Sequence, residues 1–335
     1  MKHMEYWKST LGDAERVCYD RVRDGIYRRM PTVECGEASP ETIQRVLSYV
    51  ALDHPEIFYL PYSVAIRARV FASDGKREYA FDWTPLYSAG RLASAESKMR
   101  MIAGKLSAEA KSDADDGARV LRAVTYLIDH TAQAYEVGVT SDASSALFAG
   151  RADGIGIAKA LKFLLDAMDI PNLIVEGMGK ASGKSGHHAW NIVTVGENRY
   201  HVDAAFMLAA NAGRKPPYEK YCFLCDDGAI AASHEWDRRA VPACTDASFG
   251  NASGLLQCKS LYEWKQGLTE ALSRKDEVYE AILDIRVDSE KELVRLVQSS
   301  MQAVMDRMRV CQYAEIRIGG EKRICVTMRY PDPSR

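Results

Sequence analysis

An α+β fold is predicted for this chain, on three observations. Several segments repeat apolar residues at helical spacing. Others alternate in period 2 and come in adjacent pairs joined by turn residues, so the strands read as antiparallel hairpins. The third observation is bulk: 335 residues, 47% hydrophobic and 27% charged, form an ordinary globular balance with enough surface for a proper core and about two domains.

The elements follow in order. "DAERVCYDRVRDGIYRRM" has helical spacing, and in "PETIQRVLSYVALDHPEIFYL" Pro40 marks a helix start and Pro55 its end. "SVAIRARVFA" and "REYAFDW" alternate around the turn residues "SDGK", which predicts a hairpin. "ASAESKMRMIAGKLSAEAKSD" reads as a long, polar helix. The acidic break "DADDG" (113–117) precedes a helix that buries Val120, Leu121, Val124, Leu127 and Ile128. The helix opening near 155 repeats the pattern with Ile157, Leu161, Leu164, Leu165 and Met168, and Pro171 lies past its end. "NLIVEG" is a short buried strand, and "NIVTV-GEN-RYHVD" a hairpin whose turn carries Gly196 and Asn198. In "YCFLC", Cys222 and Cys225 read as core positions of a buried strand, since a C-x-x-C without a second pair is no zinc ribbon. Beyond about 255, "VYEAILDIRV" is a strand. "SEKELVRLVQSSMQAVMDRM" is a helix capped by Ser289 with Glu292 at N3, and "YAEIRI-GGEK-RICVTMRY" a hairpin. The expected organisation is an α/β region over 1–116, a core over 117–255 and a small β-α-β-β subdomain over 256–335.

Charge and composition exclude several classes. A net charge of −2 gives no global basic field for nucleic acid or an anionic membrane. No run approaches 18 apolar residues, so no membrane span is expected. The start "MKHMEYWKST" has neither an apolar h-region nor a cleavage pattern, which leads to the expectation of a cytoplasmic location. Eight scattered cysteines are too sparse for a disulfide scaffold and read as buried, reduced thiols.

The chemistry concentrates in one constellation. His188 opens one strand and Asp203 closes the next, and partners in a short hairpin sit side by side. A carboxylate that accepts from one imidazole nitrogen leaves the other as a base. The helix start at 154 is the third element, because a helix N-terminus depresses the pKa of a thiol placed there. A cysteine at that point facing a His–Asp pair is a recurring nucleophilic arrangement, but residue 154 is glycine. His187, His188, His201 and Asp203 also suggest metal ligands. Adjacent histidines on a strand face opposite ways, however, so no metal or other cofactor is assigned. Gly150, Gly154 and Gly156 imitate a phosphate loop, but no buried strand precedes them and no Walker lysine follows. "GKASGKSG" (179–186) reads as a mobile loop whose lysines suit an acidic or peptidic ligand.

The stretch 118–240 resembles the bacterial transglutaminase-like domains, relatives of the papain-type cysteine proteases. It carries "DASSALFAGRADGIGIAKALKFLL", "DIPNLIVEG", "HHAWNIV", "RYHVD" and "YCFLCDD … SHEW" in the family's order and spacing. "DHPEIFYL" resembles the N-terminal part of clostridial members. The resemblance implies a papain-like core in which a helix packs on an antiparallel sheet. It puts His188 and Asp203 on the family's His and Asp, and Gly154 on its cysteine. No cysteine lies between 36 and 221, so no shift of the alignment restores the thiol. Asp153, Ala205 and Phe206 also depart from the family pattern. A catalytically inactive protein that binds a peptide or protein segment is therefore expected. The alternative is altered chemistry, a hydrolase or lyase with His188 as general base oriented by Asp203.

Overall fold

In the computed structural model the described residues are 4–61, 63–70, 76–134, 141–181, 184–213, 220, 222–246, 256–274, 278–283, 285–308, 313–318 and 323–329. They form two compact units: one of residues 1–212 and 221–245, the other of residues 213–220 and 246–335. The 1–116 region, expected as a domain of its own, shares a unit with the segment that follows it.

The first unit opens with α1 (Tyr6–Ser9), α2 (Asp13–Tyr27), β1 (Thr32–Gly36), α3 (Pro40–Asp53), β2 (Ala65–Val70), β3 (Arg77–Asp82) and α4 (Ala89–Glu109). Pro40 sits in the first turn of α3, where the missing N–H costs nothing, and the hydroxyl of Ser39 accepts from the Thr42 N–H at 3.2 Å. The predicted hairpin is present as antiparallel β2 and β3, with β1 on the other edge of β3; most of its turn lies outside the described residues.

Then come α5 (Asp116–His130), β4 (Ala132–Gln133), α6 (Ala143–Leu147), β5 (Arg151–Ala152) and α7 (Gly154–Ala167). The Asp115 carboxylate caps α5, accepting from the Ala118 N–H at 2.8 Å. Val120, Val124 and Leu127 are buried as predicted, whereas Leu121 and Ile128 are half-buried. All five predicted apolar positions of α7 are buried.

The sheet that carries the site is built from β6 (Asn172–Ala181), β7 (Lys184–Val195), β8 (Asn198–Val202), then α8 (Ala204–Ala210), β9 (Phe223–Cys225), α9 (Asp227–Ile230) and β10 (His234–Glu235). Its order is β10-β6-β7-β8-β9, antiparallel throughout, and α7 packs against β6 and β7. This is the predicted α+β architecture, a helix on an antiparallel sheet. The side chain of Asn191 on β7 donates to the Ala158 carbonyl of α7 at 3.1 Å, fixing helix to sheet. The segment read as a loop at 179–186 is instead the end of the β6–β7 ladder, paired out to Ala181 and Lys184, with residues 182 and 183 outside the described set.

The second unit holds β11 (Leu256–Cys258), α10 (Leu261–Arg274), β12 (Val278–Leu283), α11 (Glu290–Met308), β13 (Tyr313–Ile318) and β14 (Arg323–Arg329). It is larger than the expected β-α-β-β tail. β11 pairs parallel with β12, which requires the α10 crossover, and the sheet order is β11-β12-β14-β13. Trp264, Leu268, Ala281, Val297, Ile324 and Val326 form its core, and Ser289 caps α11 as read from the sequence.

Candidate functional site

Three elements converge on the Asp203 carboxylate. Asp203 is the N-cap of α8: its Oδ1 accepts from the N–H groups of Ala205 (2.9 Å) and Phe206 (3.0 Å). Its Oδ2 accepts from Nε2–H of His188 on β7 at 2.6 Å and Nε2–H of His234 on β10 at 2.9 Å. Four donors on one buried carboxylate outweigh the cost of its burial and hold its pKa well below the ordinary range. Nδ1 of His234 lies 2.9 Å from the Ser233 hydroxyl.

The sequence places His188 and Asp203 together for the wrong reason. The β7–β8 ladder ends at Asn191 opposite Val202, so His188 lies beyond the paired part of the hairpin. The two meet because the chain turns into α8 at Asp203 and aims the cap carboxylate back at β7. The Asp203 N–H donates to the Cys222 carbonyl at 2.8 Å, and Cys222 takes φ +53° and Leu224 φ +52°, the left-handed region that side chains avoid. "YCFLC" is thus no regular strand. Only Phe223–Cys225 pair, across a register shift, and the strained carbonyl fixes the site aspartate.

The third predicted residue, Gly154, closes the site. It is the first residue of α7, and a Cβ built on it would lie 2.5 Å from Cε1 of His188 and closer still to Nδ1. The imidazole therefore occupies the space a side chain at 154 would need. The ring is 8% exposed, packs at 4.9 Å from Phe206, and makes no hydrogen bond through Nδ1 among the described residues. Burial lowers the His188 pKa, but the charge and hydrogen bond of Asp203, aided by Asp153, raise it above the usual histidine value. Asp153 is the cap of α7: its carboxylate accepts from the Gly156 N–H at 2.8 Å and from the Ser141 hydroxyl, which leaves no open acid/base role there.

Among the described residues two sets have metal-ligand composition: His188, Asp203 and His234, and His201, Asp227 and Cys244. In the first, nitrogen and oxygen stand 2.6 and 2.9 Å apart, closer than two ligand atoms each about 2.0–2.2 Å from one zinc ion. In the second, the Trp190 indole N–H donates to Nδ1 of His201 at 2.9 Å. An indole only donates, so Nδ1 is bare, the ring is neutral, and Nε2–H donates to Asp227 at 2.9 Å. Burial lowers the His201 pKa accordingly. Both sets are proton-bridged networks. His187, adjacent to His188 on β7, is exposed, as the alternation of a strand requires.

Sequence reasoning missed His234 as a site residue and missed the glycines that admit it. A Cβ at Gly177 would strike the Glu235 carbonyl and the Trp190 ring, and one at Gly179 would come within 3.1 Å of His188. The spacing "EGMGK", two glycines on one side of a strand, was the available signal of close approach. Next to the site, Ile155 and His187 join Leu52, Ile57, Leu60 and Lys159 in lining a groove of about 250 Å³.

No family model matches the chain, and no curated protein matches it. Solved structures match in part. A candidate cysteine protease of Cytophaga hutchinsonii is 13% identical over 43% of this chain and 62% of its own, at a TM-score of 0.29. A protein described as a TGase is 13% identical over 58% and 60%, at 0.29. The periplasmic domain of TgpA from Pseudomonas aeruginosa is 19% identical over 41% and 56%, at 0.27. The chain thus spans less than two thirds of each, and scores this low carry no argument about activity. No helix among the described residues is long and apolar enough to cross a membrane.

Proposed function

We propose that the chain is a transglutaminase-like protein of the papain-like cysteine protease superfamily that has lost cysteine chemistry and acts by holding a peptide or protein segment beside α7. The observation that carries this reading is the glycine at 154 with the His188 ring packed against it. A thioester needs a sulfur atom, and here neither the atom nor the room for it is present. The motif order from "AGRADG" to "SHEW" supports the superfamily, and the meeting of Gly154, His188 and Asp203 agrees with it. The groove flanked by Ile155 and His187 supports binding, since an apolar cleft with a few polar groups is the usual form of a ligand site. The general-base reading of His188 has weaker support. The second nitrogen of the ring faces the backbone of Gly154, with no space there for a substrate or water.

The test is fluorescence polarisation of the full chain against labelled decapeptides of apolar, acidic and basic composition. The reading expects saturable binding to at least one class, weakened at least tenfold by Ile155→Glu and unaffected by Arg307→Ala in the second unit. Failure of all three classes removes the binding function. A substrate turnover abolished by His188→Ala, with binding retained, would establish the catalytic alternative instead.

A further inference from the structure

Of the two lysines on α7, one is fully buried and the other half-buried, and they are treated differently. Lys162 is fully buried and compensated: its ammonium lies 3.2 Å from the Asp166 carboxylate and 3.4 Å from the Asn172 carbonyl. A buried charge kept in this way is paired and hydrogen-bonded. Lys159, nearly one turn earlier, opens onto the groove described above. Among the described residues its only hydrogen bond is donated to the Ser141 carbonyl, at 3.2 Å, and no carboxylate lies within ion-pair distance.

The acidic groups that face it are committed elsewhere or stand off. Asp142 accepts from the Tyr87 hydroxyl at 2.5 Å, the Ser144 hydroxyl at 2.7 Å and the Ser145 N–H at 2.8 Å. Asp153 accepts from Gly156 and Ser141. Glu176 on β6 is exposed, and His187 on β7 lines the groove. The half-buried amine has one protein acceptor, and in the groove's lining Leu52, Ile57, Leu60 and Ile155 stand beside the polar Gln44, Ser48 and His187. Burial pushes the Lys159 pKa below the usual lysine range, against the pull of Glu176, Asp142 and Asp153. A desolvated lysine amine in an apolar pocket is the form that attacks carbonyl carbon.

We propose that Lys159 is a carbonyl-reactive amine at the floor of an apolar groove, and that the groove takes an aldehyde or ketone bearing an apolar chain. The amine nitrogen bonds to the carbonyl carbon to give a carbinolamine. The oxygen then leaves as water with the two amine hydrogens, so the product is an imine and nothing is oxidised or reduced. This goes beyond the peptide-binding reading and does not depend on it, since neither Gly154 nor His188 takes part.

The experiment is reductive trapping on the intact chain at pH 7, with hexanal and cyanoborohydride, the alkylated lysines being located and timed by peptide mass spectrometry. An ordinary lysine, with a pKa near 10.4, is about one part in 2,500 neutral at this pH, and each unit of lowering multiplies that fraction about tenfold. Lys159 is expected to react at least tenfold faster than Lys105, whose side chain is 77% exposed, with the ratio shrinking towards pH 11. Val64→Trp, which narrows the groove at a half-buried wall position, is expected to slow hexanal labelling of Lys159 at least tenfold and to spare labelling by formaldehyde. Reaction of Lys159 no faster than Lys105 overturns the proposal. So does labelling by formaldehyde but not hexanal in the unmodified chain, which would mean an accessible amine and a groove that rejects apolar chains.

Discussion

Gly154→Ala is the substitution whose outcome most directly tests how the site is built. In an ordinary helix the change stabilises by about 0.5–1 kcal/mol, because glycine loses more backbone freedom on folding. Here the added Cβ would lie 2.5 Å from Cε1 of His188, roughly 1 Å inside the usual 3.5–4.0 Å contact. The ring has no free direction of retreat. Asp203 holds Nε2 at 2.6 Å, Phe206 packs at 4.9 Å, and Gly179 already approaches the far side closely enough that its own Cβ would come within 3.1 Å. The clash is relieved either by compressing the core, at about 1–3 kcal/mol, or by giving up a charge-assisted hydrogen bond, at about 1.5–3 kcal/mol. After the helical gain, a net loss of about 1–2 kcal/mol is expected. Urea denaturation followed by tryptophan fluorescence measures it, and a cycle with His188→Ala isolates it. In the His188→Ala background the obstacle is gone, so Gly154→Ala should become neutral or stabilising, a coupling of about 2 kcal/mol. A Gly154→Ala protein as stable as the unmodified chain, or a loss that persists without His188, would refute the account of a ring packed against the glycine.

Two further predictions concern the same carboxylate. Asp203→Asn keeps an oxygen for the Ala205 and Phe206 N–H groups but sets an amide N–H₂ against the two histidine donors in a buried position, and should cost about 3–5 kcal/mol, read as a lowered urea midpoint; a change under ~1 kcal/mol would mean the bracket of histidines contributes little. The two shifted histidines act on opposite sides of pH 6.5. The raised pKa of His188 contributes stability that is full below about 6.5 and is lost as pH rises through the folded value, while the lowered pKa of His201 contributes stability that is full above 6.5 and is lost as pH falls. Urea midpoints measured from pH 5 to 9 should therefore fall on both sides, and His188→Ala should remove the alkaline slope and leave the acid one.

What could be read from the sequence followed local rules. The helices α2, α3, α5, α7 and α11 and the hairpins β2–β3 and β7–β8 were visible because each carries its own period and its own cap or turn. Gly154, His188 and Asp203 were legible as a set because motif order preserves them. The rest depends on contacts between distant segments. His234 reaches Asp203 only because β10 pairs with β6, leaving a two-residue strand with no period to detect. The parallel β11–β12 pair was missed because β11 spans only three residues. Cys222 and Leu224 are buried, as the core reading expects, but apolar composition says nothing about φ, so their left-handed backbone was not legible. Lys159 was hidden in a good amphipathic helix, where one polar residue reads as a solvated face.

These contacts also bear on what the His–Asp pair does for the fold. A side chain at residue 154 would need a gap between the helix start and the imidazole. There is none: the ring is in contact with the glycine backbone, Phe206 packs on its flank, and Gly179 gives it room on the other side. Asp203 does more than accept from one imidazole. Its carboxylate caps α8 and accepts from both His188 and His234, and its backbone N–H donates to the Cys222 carbonyl. The His–Asp hydrogen bond thus has structural work to do in this chain, so its presence alone is no sign of catalysis.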